Sequence, residues 1–277
     1  VAGYAATLLL CGAGVAATAE QYIPESPFGW DRGQDVSPTF DGWTRNADGT
    51  YSFYFGYLNR NRAEPLHIPI GPDNTIEGAD RGQPTYFYPG GAGTRPRRWW
   101  VFKVVVPGDW PKDRRLVWTL ASRGRTNKAA AWLQPEYEVD SVLMGMNAGD
   151  RLLFNTRQVA DKENRPPVVS AVSRVEVTLP QTVTLTATAD DDGRPLANGK
   201  SEGLRFRWIV YRGPTAVTFK PETHSPAFTT PAKAETVASF SEPGDYRIRV
   251  IASDGELAST SDLDVTVSPA SSGQSGR

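Results

Sequence analysis

The sequence predicts a mainly β protein in two parts, the second a two-sheet sandwich. Three observations carry this. Apolar and polar residues alternate at a period of two, turn-forming pairs punctuate the runs, and helical periodicity is weak everywhere after residue 20. The stretch Asn164-Arg165-Pro166-Pro167 divides the two parts as a Pro-rich linker over 161–167.

The N-terminal segment, 1–19, predicts export. Ala5 to Ala19 is apolar and small, and Ala17-Thr18-Ala19 before Glu20 has the A-x-A form of a cleavage site. Leu8-Leu9-Leu10-Cys11-Gly12 resembles a lipobox, so lipidation at Cys11 is a second reading. A third is a retained anchor. Its apolar run is short of the roughly 20 residues of a spanning helix, which favours an interfacial or tilted form.

Residues 20–40, with Pro24, Pro27, Phe28, Trp30 and Pro38, are expected to form an extended arm that packs by individual side chains. An aromatic-rich β domain then covers 41–160. After the Asp48-Gly49 turn, Tyr51, Phe53, Phe55 and Tyr57 share one face of a half-buried strand. Leu66 to Ile70 is an edge-type segment, since Pro69 cannot serve an interior ladder. Arg98 to Val106 is the clearest strand: Trp100, Phe102, Val104 and Val106 on one face, Trp99, Val101, Lys103 and Val105 on the other. Leu116 to Leu120 is its expected partner, and Ala129 to Leu133 a further short strand.

Residues 168–268 show a simpler grammar. Val183, Leu185 and Ala187 alternate with threonines; Phe206, Trp208 and Val210 alternate with Arg205, Arg207 and Ile209; Tyr246, Ile248 and Val250 alternate with Arg247 and Arg249. Leu263, Val265 and Val267 close the set. Turns at Asp192-Gly193, Asn198-Gly199, Pro243-Gly244 and Asp254-Gly255 separate the runs, a spacing that argues a sandwich. The tail, 269–277, is Ser/Gly-rich and flexible by composition.

Two resemblances follow from these residues. The Asn-Arg-Pro-Pro opening, Ala189-Asp190-Asp191-Asp192-Gly193, Trp208, Pro243-Gly244-Asp245-Tyr246 and Ala252-Ser253-Asp254-Gly255 resemble a PKD-type or related Ig-like domain. The Trp-Asp-Phe-Gly-Asp-Gly signature of PKD domains is absent, because Ile209-Val210-Tyr211 follows Trp208. Such domains imply spacing or binding in extracytoplasmic proteins. Gly42 to Asn46 and Asp48 to Asn61 resemble a family of exported bacterial proteins without assigned function. As a whole, and through no single motif, the chain is also similar to the membrane-extrinsic subunits that brace a bacterial photosynthetic reaction centre within its light-harvesting ring.

Composition narrows the function. A net charge of −1 gives no global field toward nucleic acid. Cys11 is the lone cysteine, which excludes internal disulfides and cysteine-rich zinc sites, and two histidines, His67 and His224, leave little room for imidazole chemistry. Glu136, Glu138 and Asp140 fall on alternating positions, where a glycosidase-like carboxylate pair competes with a solvated strand face. Asp190, Asp191 and Asp192, with Asp254 as a further donor across the loops, are candidate calcium ligands, set against their role as simple turn formers. Ten basic residues lie between Arg95 and Lys128, and the strands are expected to gather much of that charge at one end of a sheet. Arg97-Arg98-Trp99-Trp100 joins guanidinium to indole, side chains enriched in interface hot spots. Phe28, Trp30, Arg95, Arg97, Arg98, Trp99, Arg114 and Arg115 are the candidate partner-binding residues, facing the acidic rim of a membrane complex or anionic lipid headgroups. The competing reading of the charge is a solvated edge that resists strand addition.

The sequence therefore predicts a non-catalytic structural subunit, with no cofactor beyond calcium. It would be periplasmic and peripheral on the outer face of the cytoplasmic membrane, docked on a larger membrane complex; the second resemblance implies that this complex is a photosynthetic reaction centre and its light-harvesting ring. The alternative is a secreted carbohydrate-binding or carbohydrate-active protein in which aromatic strands stack on sugar rings beside a PKD-like spacer.

Overall fold

Alternating burial along the chain builds the strands that the period-two pattern predicts. The structure is a computed structural model and describes residues 30–90, 97–140, 143–144, 162–197, 200–201, 203–224 and 227–270. The export segment, Cys11, Phe28, Arg95 and the Asn198-Gly199 turn lie outside the described residues. No helix among those residues is long and apolar enough to cross a membrane.

In chain order the first unit holds β1 (Val36–Arg45), β2 (Tyr51–Asn59), β3 (Leu66–His67), β4 (Asn74–Ile76), β5 (Tyr86–Phe87), β6 (Arg97–Val106), β7 (Leu116–Ser122) and β8 (Arg125–Ala131). One antiparallel sheet has the order β1-β2-β6, another β4-β7-β8, and β3 pairs with β5. The first two sheets share a core in which Phe53, Phe55, Phe87, Trp118 and Leu120 are buried. Burial of each such side chain contributes about 2–3 kcal/mol. The two-residue turn Arg123-Gly124 joins β7 to β8 with both residues at positive φ, the backbone twist that a tight hairpin prefers.

Three expectations change here. The arm ends earlier than predicted, because Val36 to Phe40 already belong to β1. Strand β2 is buried on both faces rather than half-buried: it is the central strand, and even Ser52 is enclosed, donating to Asn46 Oδ1 at 3.1 Å. Strand β7 does not pair with β6. Both carry a full apolar face, and these faces stack across the core instead, with the Phe102 and Trp118 rings edge to face at 4.9 Å.

The second unit holds β9 (Val168–Ala171), β10 (Arg174–Thr178), β11 (Thr182–Asp190), β12 (Leu196–Ala197), β13 (Lys200–Ser201), β14 (Arg205–Arg212), β15 (Val217–Lys220), β16 (Ala232–Phe240), β17 (Gly244–Ser253) and β18 (Ala258–Ser268). Two four-stranded sheets, β10-β18-β17-β14 and β15-β16-β11-β9, enclose one core that contains Trp208. This is an Ig-like, PKD-like β-sandwich. Strand β16 lies outside the predicted set because its buried face is mostly small or polar, Ala232, Ala234, Thr236 and Ala238, with Phe240 only at its end, so its apolar signal is weak.

The two units interlock. Ile209 and Tyr211 point away from the interior of the sandwich, yet both are buried. Tyr211 packs into the core of the first unit, while Tyr86 and Tyr88 pack against that of the second.

Candidate functional site

The expected hot spot at the start of β6 is a structural joint. Phe40/Gly42 in β1 and Phe55/Tyr57 in β2 both carry register shifts, and the carboxylate of Asp41 sits where they meet. Its Oδ1 accepts from Arg97 Nη2 at 2.8 Å and from Thr39 Oγ1 at 2.9 Å, and its Oδ2 from the Trp100 N–H at 2.8 Å. Burial pushes the Asp41 carboxyl up, against the downward pull of these donors, led by Arg97. Trp100 has φ +56°, a conformation that costs a bulky residue about 1–3 kcal/mol, and the Asp41 contact holds it there. The expected two-face alternation of Arg98 to Val106 therefore holds only from Phe102 onward.

Arg98 needs correction as a partner-binding residue. It is 4% exposed, and its Nη2 donates to the Pro89 carbonyl at 2.6 Å. Arg97 is tied to Asp41 and lies over the Trp99 ring at 3.3 Å, so its charge is already engaged. Trp30, another expected docking residue, is 68% exposed.

The basic tract does not gather at one end of a sheet. Strand β6 alone spans ten residues, about 33 Å of extended chain, and so carries Arg97 far from Arg114 and Arg115. Near the start of β6 the cations meet carboxylates: Arg97 with Asp41, Arg123 with Glu64, and Arg60 with Asp35. At the far end, Arg114 lies over the Trp110 ring at 4.0 Å and Arg115 over the Trp132 ring at 4.9 Å, both guanidinium groups exposed. Arg114 also meets Glu77 at 3.8 Å, a weak exposed contact.

The acidic turn of the sandwich behaves differently from the expected trio. Asp192 Oδ1 accepts from the Arg194 N–H and Oδ2 from the Arg165 N–H, which occupies both oxygens. Asp190 is exposed at the end of β11. Consecutive residues in a turn cannot aim three carboxylates at one point, and among the described residues no group of three or more His, Cys, Asp or Glu converges as a metal set. Asp190 and Asp192 are therefore corrected as ligands of a shared ion. Asp191 and Asp254 each hold one oxygen on backbone amides: Asp191 Oδ2 on the Gly193 N–H, Asp254 Oδ1 on those of Glu256 and Leu257. Their other oxygens, with Asn164 Oδ1, are buried and accept no hydrogen bond. Burial pushes the Asp191 carboxyl up to about 6, with the charges of Asp254 and Asp192 adding to it; burial also raises Asp254. Asn164 was legible only as part of a linker signature, since nothing local marks its amide as facing the loops.

The remaining acid–base candidates do not assemble into a catalytic set. Glu136 lies in a 3-10 turn (Pro135–Tyr137) and Glu138 just after it, so with Asp140 they form no strand face as the alternation predicted. Burial lowers the pKa of His224, whose ring meets Phe206 edge to face, and that of His67, where Glu242 opposes the shift. Between the units, a groove of about 610 Å³ is lined by Tyr54, Trp100, Lys103, Arg247 and Asp262 among others.

No family model matches the chain, and the search of curated proteins returns no match. Among solved structures it is similar to the PKD domain from the KIAA 1837 protein, at 22% identity and a TM-score of 0.27, covering 39% of this chain and 92% of that domain. It is similar to the PKD domain from human KIAA0319 at 21% identity and a TM-score of 0.26, covering 43% and 96%. The titin domains z1z2, solved with telethonin, match at 11% identity and a TM-score of 0.26, covering 84% and 97%. At these scores the likenesses carry no argument about function, and the sandwich stands on its own sheet order. Neither the exported-protein resemblance nor the reaction-centre resemblance gains support from them.

Proposed function

We propose that this chain is a non-catalytic, extracytoplasmic structural subunit that presents fixed β surfaces to a larger membrane protein complex. The observation that supports it is the junction between the two units. Thr85 N–H donates to the Tyr211 carbonyl at 3.2 Å, Val210 N–H to Tyr88 Oη at 2.8 Å, and Gly213 N–H to Thr85 Oγ1 at 3.1 Å. Arg249 lies over the Tyr211 ring at 3.5 Å and reaches the Val101 carbonyl at 3.2 Å. Bonds of this kind hold two surfaces at a set separation, which suits a brace better than a cleft that must open and close.

The exposed Arg114 and Arg115, pre-oriented on Trp110 and Trp132, are the residues assigned to the acidic rim of the partner or to anionic headgroups. In its most specific form the partner is a photosynthetic reaction centre within its light-harvesting ring, on the periplasmic side of the membrane. The whole-chain resemblance is what supports that form.

Purification from native membranes in mild detergent tests both levels. Stoichiometric membrane subunits should co-purify, pigment-bearing ones in the specific form, and Arg114→Glu with Arg115→Glu should release the chain while lowering its thermal midpoint by only a few degrees, the loss of two exposed cation–π contacts. A chain found alone in the periplasmic wash and retained on polysaccharide would overturn the reading. That outcome would favour a carbohydrate-binding role, for which Tyr54 and Trp100 in the inter-unit groove supply stacking faces.

A further inference from the structure

The end of the sandwich nearest the linker holds an electrostatic arrangement that the docking role does not use. Asp254 is 2% exposed, and Asn164 and Asp191 are partly enclosed beside it. Each carboxylate is fixed by amide donors on one oxygen and bare on the other. Asn164 Nδ2 points to Glu256 Oε2 at 3.4 Å, which leaves its Oδ1 as the third bare acceptor. The same amide lies close enough to Asp254 to favour its charged form, and the charge of Asp254 in turn bears on Asp191. Three buried acceptors without a donor, two of them anionic, are costly unless a cation or a proton compensates.

We infer that Asn164 Oδ1, Asp191 Oδ1 and Asp254 Oδ2 bind one calcium ion, which fastens the incoming linker to the end of the sandwich. The donor set is all oxygen, which selects a hard cation over zinc or copper. Two carboxylates and an amide leave further positions to backbone carbonyls and water. That geometry suits the larger, adaptable shell of calcium better than the strict octahedron of magnesium. The low carboxylate count places affinity in the weak range of extracellular modules, with Kd about 10⁻⁴–10⁻³ M. The Arg165 N–H on Asp192 already lays the linker along this turn, so a bound ion would complete an existing contact. The inference is independent of the docking role.

Calcium chloride titrated into the full chain by calorimetry, with thermal unfolding in about 10 mM calcium, in magnesium and in EGTA, tests it. Calcium should raise the midpoint by about 5 °C over EGTA, and magnesium by far less. Asp191→Asn and Asp254→Asn should abolish the rise. Both should be at least as stable as the parent in EGTA, because the amide keeps the backbone bonds and removes the repulsion. Asn164→Ala should weaken the calcium response without removing it. Absence of heat and of a shift in the parent overturns the inference, since buried water or a proton would then satisfy the oxygens. An equal shift in the Asp variants, or an equal response to magnesium, overturns it as well.

Discussion

Arg212 of β14 grips Asp80 of the first unit with two parallel bonds, Nη2 to Oδ1 at 2.7 Å and Nη1 to Oδ2 at 2.8 Å. Its Nε also donates to the Gln83 carbonyl at 2.9 Å, so one planar guanidinium spans the 80–83 loop. Next to it, Tyr211 Oη donates to the Gly82 carbonyl. The sandwich thus fixes a loop of the first unit through two consecutive side chains on the outer face of one strand.

Arg212→Ala should weaken this clamp by about 2 kcal/mol, since it removes a two-point charged contact and leaves the Gln83 carbonyl without that donor. Unfolding in urea, followed by tryptophan fluorescence, should separate into two transitions. A single unchanged transition would mean that the aromatic packing alone couples the units.

Acid should loosen the same junction. The hydrogen bond from Arg212 holds the Asp80 carboxyl at the junction below its ordinary 3.8, and within the sandwich that from Arg247 on β17 does the same for Asp264 on β18. A lowered folded value contributes stability that is present above 3.8 and lost as pH falls through the folded value. Asp41 acts in the opposite sense, because burial raises it. Thermal midpoints between pH 7 and pH 2.5 should fall below about pH 4. Arg212→Ala should show a shallower fall than the parent; an identical acid limb would remove Asp80 from the linkage.

Trp118 and Trp208, both fully enclosed, should respond unequally to shortening. Trp118 Nε1 donates to Asn74 Oδ1 at 3.0 Å, and Asn74 Nδ2 bonds the Ile68 and Pro84 carbonyls. Trp208 Nε1 is buried with no acceptor. Trp118→Phe strands the Asn74 oxygen and should cost about 1–2 kcal/mol more than Trp208→Phe, by chemical denaturation. Equal losses would show that cavity size outweighs the hydrogen bond.

Gly56 marks the tightest approach in the first unit. A Cβ there would stand 2.1 Å from the Arg98 carbonyl oxygen and 2.4 Å from Asp41 Oδ2. Gly56→Ala should therefore destabilise by about 3 kcal/mol, visible as a lower midpoint in circular dichroism. An exposed control, Gly78→Ala, meets no atom within 4 Å and tests backbone strain alone at its φ of +77°. Equal effects would locate the cost in the backbone instead of the contact.

Much of the architecture was legible in the chain because strand alternation is a local property. Phe53 and Phe55, Trp208 and Val210, and Ile248 and Val250 each announce a buried face within a few residues. The turns at Asp48-Gly49, Asp192-Gly193 and Asp254-Gly255 are equally local. Alternation does not say which strand lies beside which. The pairing of β6 with β2, and its stacking on β7, depend on long-range packing of apolar faces.

The candidate sites divide along the same line. By itself the sequence determined that this is a two-part β protein with aromatic strands, an acidic turn and paired arginines and tryptophans. Only the tertiary structure decided that Arg98 is interior and Arg114 exposed, that Tyr211 belongs to the core of the other unit, and that Asn164, Asp191 and Asp254 leave bare oxygens at one end of the sandwich. Residue type and period act over a few positions along the chain. Burial, charge pairing and orphaned acceptors arise from residues far apart in sequence, and they exist only once the sheets have closed.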